Sequence, residues 1–397
     1  MKGAGLPPRL LAVLSVAAVI VVAGVLAMAR QGPGQGSPSP AAGLARPSVT
    51  PPALLGTSLA TATLPASPSG WSFRAAGSPG MPNPVRGPDG TTYISTTSSG
   101  SNGQGRVYAL DGQGAVKPGW PFAPKGVIAF GAPAMAVDGT IYVFGATFGT
   151  NVSQLWALDP SGQVKPGWPY RAGATVPFGQ VLSTADGGAL FVETTSSGAE
   201  QAVALTAEGA VKAGWPVTLP GAWTCYDGGA CSALGSDGTW YGLVSVGGGD
   251  AEIVGIRPDG SAAPGWPVRL TGGEGFVLTP DGAIYAWGYD TNGITPPNGV
   301  TVIVRTRFLL VGTDGQVKPG WPVTVDAPAA IPTIGPDRTL YTVSGAAGGP
   351  ERVLAFGTDG RERQGWPYTL PTGIAAWPYA AAVRVRIEQI ASWAPRI

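Results

Sequence analysis

The chain of 397 residues carries 24 basic and 23 acidic side chains and contains no histidine. Such balanced charge argues against a nucleic-acid partner, because phosphate recognition needs a basic surface. The absence of histidine removes the commonest general base near neutral pH and the commonest transition-metal ligand. The 63 glycines and 40 prolines recur largely at fixed places, so they predict turns rather than disorder.

The N-terminus has the pattern of a membrane-targeting segment. Residues 1–9 form a basic cytoplasmic region with Lys2 and Arg9, and residues 10–29 are uncharged. Twenty such residues can span a bilayer, and the preceding positive charge places the rest of the chain on the extracytoplasmic side. Two interpretations remain open. The segment is either a retained single-pass anchor in the cell membrane or the apolar part of a signal peptide cleaved after Ala29, which would give a secreted or periplasmic protein.

Residues 30–69 are rich in Pro, Ser, Ala and Gly and nearly free of charged and aromatic residues. This composition predicts a disordered linker, because it cannot bury enough apolar surface to order itself. We therefore expect the linker to hold a single folded domain, residues 70–397, away from the membrane.

A Gly-Trp-Pro phrase repeats along that domain, with a shortened copy, GWSF, at residues 70–73. Its tryptophans are 49, 48, 47, 51, 55 and 45 residues apart. A period in this range indicates a repeat architecture. The tryptophans are Trp71, Trp120, Trp168, Trp215, Trp266, Trp321 and Trp366.

Each repeat also contains an Asp-Gly phrase between two short apolar runs, such as VDGTIYV at 137–143. Asp-Gly favours tight reversals, so the phrase predicts a hairpin. Each unit then consists of four strands, which in one unit are a (APAMAV), b (TIYVF), c (QLWAL) and d (GWPYR). Units of four antiparallel strands every 48 residues or so predict an all-β fold, a single β-propeller following the N-terminal helix.

The number of blades depends on the two ends of the domain. Six complete units are present, the N-terminal GWSF resembles a lone d strand, and residues 374–390 resemble inner strands without a d strand. Joining the two remnants would make a seventh blade and close the ring. Seven blades are favoured, and six are the alternative.

The recurring residues are predicted to serve the fold. We expect each GWP tryptophan to pack between adjacent blades. The turn aspartates, among them Asp89, Asp138 and Asp314, do not have the spacing of a calcium loop, so we predict turn residues and no metal site.

Binding is predicted on the face that carries the b–c and d–a connections, because these vary between units while the a–b and c–d turns are uniform. One such connection, residues 218–232, holds both cysteines, and export would permit a disulfide between Cys225 and Cys231. Trp223, Tyr226 and Asp227 beside them form the candidate binding loop, with ordinary loop packing as the alternative.

Several acidic residues are not explained by the recurring turns. A pair of them could perform glycosidase-type acid and base catalysis, although the sequence indicates no pairing. They include Glu193, Asp250, Glu252, Glu274, Asp290 and Asp326.

The repeat pattern of residues 131–162, with its DG turn and ALD phrase, resembles that of the pyrroloquinoline-quinone-like propellers of the quinoprotein dehydrogenase superfamily. The resemblance covers about 80–368 and implies the propeller fold. Enzymes of that family hold quinone and calcium beside two adjacent, disulfide-bonded cysteines, whereas Cys225 and Cys231 are not adjacent and no matching acid and amide set is present. The resemblance therefore points to a non-catalytic branch. A non-enzymatic lipoprotein of the family differs in its anchor, since no lipobox cysteine follows residues 10–29.

We accordingly predict a membrane-tethered, non-enzymatic binding scaffold that is monomeric and requires no cofactor. Its partner is expected to be a protein or a cell-envelope polymer, bound on the variable-loop face. The alternatives are a quinone- and calcium-dependent dehydrogenase with a divergent site, or a glycan-active propeller.

Overall fold

The computed structural model describes residues 72–76, 78–79, 84–98, 103–147, 153–173, 180–224, 231–290, 305–345 and 351–370. They belong to one compact unit. In these ranges, no helix is long and apolar enough to cross a membrane, and the predicted segment 10–29 lies outside them. The linker 30–69 and the C-terminal segment 374–390 also lie outside the described residues.

The described chain is all-β, and its strands pair antiparallel in five sheets. These sheets comprise six successive units, and units 2 to 6 have strands in the spatial order a, b, c, d, as in the blades of a β-propeller. In unit 1 the d position is a single bridge between Val107 and Phe122. Units 1 and 2 share a sheet, because β5 pairs with strand b of both. The strands of these two units are β1 (Ser78–Pro79), β2 (Val85–Arg86), β3 (Thr92–Thr97), β4 (Arg106–Leu110), β5 (Val127–Phe130), β6 (Ala134–Met135), β7 (Ile141–Thr147), β8 (Ser153–Leu158) and β9 (Tyr170–Arg171).

Units 3 and 4 form separate sheets. Unit 4 has an additional strand, β14, which pairs with the end of its strand b. The strands of unit 3 are β10 (Val181–Ser183), β11 (Ala189–Thr194), β12 (Glu200–Leu205) and β13 (Val217–Thr218), and those of unit 4 are β14 (Ala222–Trp223), β15 (Ser232–Leu234), β16 (Trp240–Gly247), β17 (Asp250–Ile256) and β18 (Val268–Leu270).

Units 5 and 6 have four strands each. The d strands are shorter than the predicted GWPYR run, since in unit 2 the strand begins only at Tyr170, after a cis Trp168–Pro169 bond. The strands of these units are β19 (Gly273–Leu278), β20 (Ile284–Asp290), β21 (Arg305–Val311), β22 (Val323–Val325), β23 (Thr333–Ile334), β24 (Leu340–Ser344), β25 (Arg352–Phe356) and β26 (Tyr368–Thr369).

The hydrophobic core lies between neighbouring sheets. The b and c strands are almost continuously apolar, as in β7, where Ile141 to Gly145 are all buried. A strand that is covered on both faces needs no polar alternation. One core cluster accordingly joins Tyr142 of unit 2 to Phe191 of unit 3, and another joins Tyr285 of unit 5 to Leu340 of unit 6.

Two opposite faces result from this up-and-down order. The turn face carries the a–b turns (87–91, 136–140, 184–188, 235–239, 279–283, 335–339) and the c–d turns (111–115, 159–163, 206–210, 257–261, 312–316, 357–361). The loop face carries the b–c and d–a connections, which follow strands b and d.

Candidate functional site

The a–b turns of the turn face use one aspartate in a repeated way. In unit 1, Asp89 Oδ1 accepts the backbone N–H of Thr91 at 3.0 Å, and the Thr91 hydroxyl donates to Oδ2 at 2.7 Å. The hydrogen bonds from Thr91 are the main reason that the pKa of Asp89 is lowered to about 2. Asp138, Asp237 and Asp337 make the same two contacts. These carboxylates are therefore engaged by their own turns.

In several units, a basic residue just after the c–d turn forms an ion pair with the aspartate of the a–b turn of the same unit. In unit 3, Lys212 Nζ lies 2.7 Å from Asp186 Oδ2. Unit 4 has Ala263 at the lysine position, and in unit 5 Asp281 instead pairs with Arg338 of unit 6. Sequence analysis missed these pairs, although the lysine and the aspartate recur in the same units. The other pairs within a unit are Lys117 with Asp89, Lys165 with Asp138 and Arg363 with Asp337.

The repeated tryptophans connect each unit to the next. In five units the indole N–H donates to a backbone carbonyl in the c–d turn of the following unit, so the contacts all run in one direction. These rings are nearly buried, at 7–8% exposure. The donor and acceptor pairs are Trp120 with Pro160 (3.2 Å), Trp168 with Ala207 (3.0 Å), Trp215 with Pro258 (2.9 Å), Trp266 with Thr313 (3.4 Å) and Trp321 with Thr358 (3.0 Å).

The glycine before each tryptophan permits this approach. Gly119 has a φ of 85°, and a Cβ atom at this position would run into the carbonyl oxygen of Ser161 in the next unit. Both the backbone conformation and the close approach therefore require glycine.

The tryptophans at the two ends differ from the others. Trp71 lies outside the described residues, and Trp366 is half-buried. Near Trp71, the Phe73 ring packs edge-on against Tyr108 at 5.1 Å, and the Ala76 N–H donates to the Tyr108 hydroxyl at 3.2 Å. In the next pair of units, Phe122 packs edge-on against Trp156 at 6.0 Å. Since Tyr108 and Trp156 occupy equivalent positions in strand c, Phe73 lies where the d strand of a preceding unit would place it.

The candidate binding loop is described only at its start. Trp223 lies in the hydrophobic core at 5% exposure, so its ring is not on the surface. Its backbone N–H donates to the Glu200 carboxylate, whose pKa is raised by burial. Tyr226 and Asp227 lie outside the described residues.

Of the two cysteines, only Cys231 is described. It is buried directly before β15, the strand a of unit 4, and is disulfide-bonded. Cys225 lies outside the described residues, so its pairing with Cys231 stays a prediction.

The connections of the loop face differ from unit to unit. The b–c connection of unit 4 has only two residues between strands, Gly248 and Gly249, whereas that of unit 5 covers residues 291–304. The d–a connection before unit 5 is only Thr271 and Gly272. This face therefore carries the features that distinguish one unit from another.

Most acidic residues outside the recurring turns have partners on this face. Glu193, at 3% exposure, accepts a hydrogen bond from Gln201 Nε2 at 2.7 Å and one from the backbone N–H of Gly173 at 3.3 Å. Such contacts stabilise a structure rather than leave an acid free for catalysis. Asp250 pairs with Arg269, Asp290 with Arg305 and Arg307, and Asp326 with Arg305, while Glu252 is the register partner of Arg269.

Glu274 differs from Glu193, Asp250, Asp290 and Asp326, which all have such partners. Within the described ranges, no hydrogen bond or ion pair holds its carboxyl group. It lies between Gly273 and Gly275, where the register of β19 against β20 shifts, so it is the extra residue of a β-bulge. Bulges commonly redirect a side chain next to a functional site. Burial raises the pKa of Glu274 to about 7.

Tyr289 lies on strand b of the same unit, and its backbone N–H donates to the Gly272 carbonyl oxygen at 2.8 Å. Burial and the nearby Glu274 charge raise its pKa to about 12, so its phenol is neutral at physiological pH. Its hydroxyl lies 3.3 Å from the Ala329 carbonyl oxygen, to which it donates. Sequence analysis included Glu274 among six acids but did not single it out. The run of glycines around it, GGEG, was the available signal for a bulge.

The described residues do not fit a quinone and calcium site. In the ranges given above, no group of three or more His, Cys, Asp or Glu could hold a metal ion. The sequence also lacks the adjacent cysteines that the resemblance would require.

No protein-family model and no curated protein matches the chain. Solved structures that it resembles include streptogramin B lyase, with 16% identity over 76% of this chain and 86% of that one and a TM-score of 0.40. The Dos1 propeller shows 9% identity over 71% and 66% of the two chains, with a TM-score of 0.43. A Bacteroides caccae protein of unknown function shows 13% identity over 70% and 94%, with a TM-score of 0.34. Likenesses this distant say nothing about activity, and the fold described above follows from the sheets of the chain itself.

Proposed function

We propose that the chain is a membrane-tethered, extracytoplasmic propeller that binds a protein or cell-envelope polymer through its loop face and is not an enzyme. One observation carries this proposal. The turn face repeats the same contacts in successive units, whereas the loop face has unit-specific connections, ion pairs and the bulge at Glu274. Variable segments on a rigid repeat are the usual place for recognition.

The location of the partner is tested by crosslinking in living cells. A photoreactive residue replaces Asp326, which is 81% exposed on the loop face, and in a control replaces Val137, which is 85% exposed on the turn face. We expect a discrete adduct from position 326 and none from position 137. Equal adducts from both faces, or an adduct from position 137 alone, would overturn the proposal.

The absence of catalysis needs its own test. The purified full chain is mixed with pyrroloquinoline quinone and calcium, and dye reduction is followed with alcohols and sugars. The lack of a fitting donor set predicts no activity above that of the quinone alone. Saturable, calcium-dependent turnover would replace the scaffold proposal with the dehydrogenase alternative.

The topology is tested through the intact mass of the protein purified separately from the membranes and from the periplasmic and secreted fractions. Retention of residues 1–29 supports a single-pass anchor, and loss of these residues supports cleavage after Ala29. Protease added outside intact spheroplasts should digest the domain in either case, unless the domain faces the cytoplasm.

We also infer that the ring has seven blades, with residues 70–73 as the d strand of the closing blade. The packing of Phe73 on Tyr108 supports this inference, because it parallels the packing of Phe122 on Trp156. The Trp71→Ala variant should then lower the chemical-denaturation midpoint about as much as Trp215→Ala. An unchanged midpoint would favour six blades.

A further inference from the structure

The inner strand of unit 5 departs from the repeat at its loop-face end. Strand β19 has six residues, whereas each of the other inner strands, β2, β6, β10, β15 and β23, has two or three. The extra length contains the bulge, and Glu274 is the residue that the bulge leaves unpaired. In units 1, 2 and 4 the same end of strand b pairs with a separate short strand, β1, β5 or β14, whereas in unit 5 one continuous strand carries the bulge and Glu274.

Among the residues that the structure describes, no lysine or arginine forms an ion pair with Glu274. The arginines nearest along the loop face of units 4 and 5 are already paired, Arg269 with Asp250 and Arg305 with Asp326. The segments between the described strands contain no lysine or arginine from residue 99 onward up to residue 350. These segments are 99–102, 148–152, 174–179, 225–230, 291–304 and 346–350.

We propose that Glu274 binds a guanidinium side chain presented by a protein partner. This proposal rests on the proposed function. A guanidinium group can donate two parallel hydrogen bonds to a carboxylate. It can also stack on an aromatic ring, and the half-buried Tyr289 is near enough for the Glu274 charge to contribute to its raised pKa. An ammonium group, such as that of an amino sugar, would form the ion pair without the planar stacking.

The elements packed against β19 carry other titratable groups, three tyrosines and three acids. Tyr241, Tyr285 and Tyr289 have pKa values raised by burial and remain neutral. Asp250 accepts the Gly272 N–H and pairs with Arg269, which lowers its pKa. Strand β15 contributes no titratable group. The acids on the elements packed against β19 are Asp250 and Glu252 on β17 and Asp290 on β20.

Binding should therefore depend on pH through Glu274. A cation pairs with the carboxylate form, which prevails above the raised pKa of about 7. Apparent affinity should then be about tenfold higher at pH 8 than at pH 6, because only about a tenth of the group is ionised at the lower pH.

The test is a carboxyl-carbon NMR titration of the full chain in detergent, labelled at its glutamates. Only eight glutamates occur in the sequence, and the Glu274→Gln variant identifies the signal. The probes are ethylguanidinium, which mimics arginine, and glucosamine, which represents amino-sugar polymers. The matched control is Glu208→Gln, the same chemical change on the turn face, where Glu208 is exposed.

We expect a Glu274 midpoint near 7 that falls when ethylguanidinium is added, with about tenfold tighter binding at pH 8 than at pH 6. This response should vanish in Glu274→Gln and persist in Glu208→Gln. The absence of any glutamate signal with a midpoint near 7, or the absence of a response of any glutamate signal to ethylguanidinium, would overturn the inference, and neither result needs a variant to fold. A response to glucosamine alone would replace the protein partner by an amino-sugar polymer. Failure of the crosslink at position 326 would instead contradict the loop-face proposal itself.

Discussion

The turn face and the loop face are built from the same strands, yet their side chains have different roles. On the turn face, Asp89 and Asp138 make the same contacts in different units, and Trp168 and Trp215 donate to equivalent carbonyls. On the loop face, the b–c connection has two residues in unit 4 and fourteen in unit 5, and the ion pairs of these two neighbouring units differ. The comparison indicates that residues which repeat hold the units together, while residues which do not repeat are the candidates for recognition.

The largest expected loss of stability comes from the replacement of a turn-face tryptophan. Trp215→Ala removes a buried ring and its hydrogen bond to the Pro258 carbonyl. We expect a loss of about 3–5 kcal/mol in the free energy of unfolding. Chemical denaturation followed by circular dichroism measures it. A loss below about 1 kcal/mol would show that this contact does not hold units 3 and 4 together.

A smaller loss is expected from Gly119→Ala. The added Cβ atom meets the Ser161 carbonyl, and the residue keeps a positive φ. We expect destabilisation of about 1–3 kcal/mol in the same measurement. The matched control is Gly112→Ala, at a turn-face glycine whose Cβ would meet no atom within 4 Å and whose φ is not positive. Equal effects of the two variants would refute a specific contact at Gly119.

On the loop face, we expect Glu274 to make the stability of the protein depend on pH. In the unfolded chain Glu274 titrates near 4.5, and in the folded chain near 7. A raised carboxyl pKa gives stability that is present below 4.5 and is lost as pH rises to about 7. The Glu274→Gln variant lacks this titration, so the difference in denaturation midpoint between wild type and variant should change across that window and be constant above it. A constant difference throughout would mean that Glu274 has an ordinary pKa.

The smallest effect is expected from an exposed turn-face ion pair. Lys212→Met removes the contact with Asp186 and keeps the apolar stem. We expect a loss of about 0.2–1 kcal/mol at low salt that disappears in high salt, because surface pairs are screened. Denaturation midpoints at two salt concentrations measure it. A large, salt-independent loss would assign this lysine a role beyond the pair.

Much of the fold was predictable because its determinants are local and recur. The all-β class and the order of four strands follow from Asp-Gly turns and short apolar runs, and both are confirmed in units 3, 5 and 6. Propeller blades as such are supported by those sheets, whereas the number of blades depends on residues outside the described ranges. The anchor, the linker and the partner stay predictions for the same reason.

The candidate site was less predictable, since it depends on contacts between units. Trp223 was expected near a surface patch because it adjoins a cysteine-bearing loop, but in the structure it pairs with strand b of unit 4 and enters the core. Glu274 could not be distinguished from the other acids in the sequence. The difference lies in ion pairs between strands, such as Asp326 with Arg305, which a linear sequence does not display. The bulge depends on a register shift that only pairing reveals.

The one-directional tryptophan contacts bear on how such a chain can grow. Each of units 2 to 5 carries a donor near its end and an acceptor turn before it, as with Trp168 and Pro160 of unit 2. The tryptophan contact therefore does not distinguish one neighbouring unit from another, although some junctions add their own contacts, such as Arg338 with Asp281. Lineages of this kind can change their unit number by recombination while the loop face of each copy diverges independently.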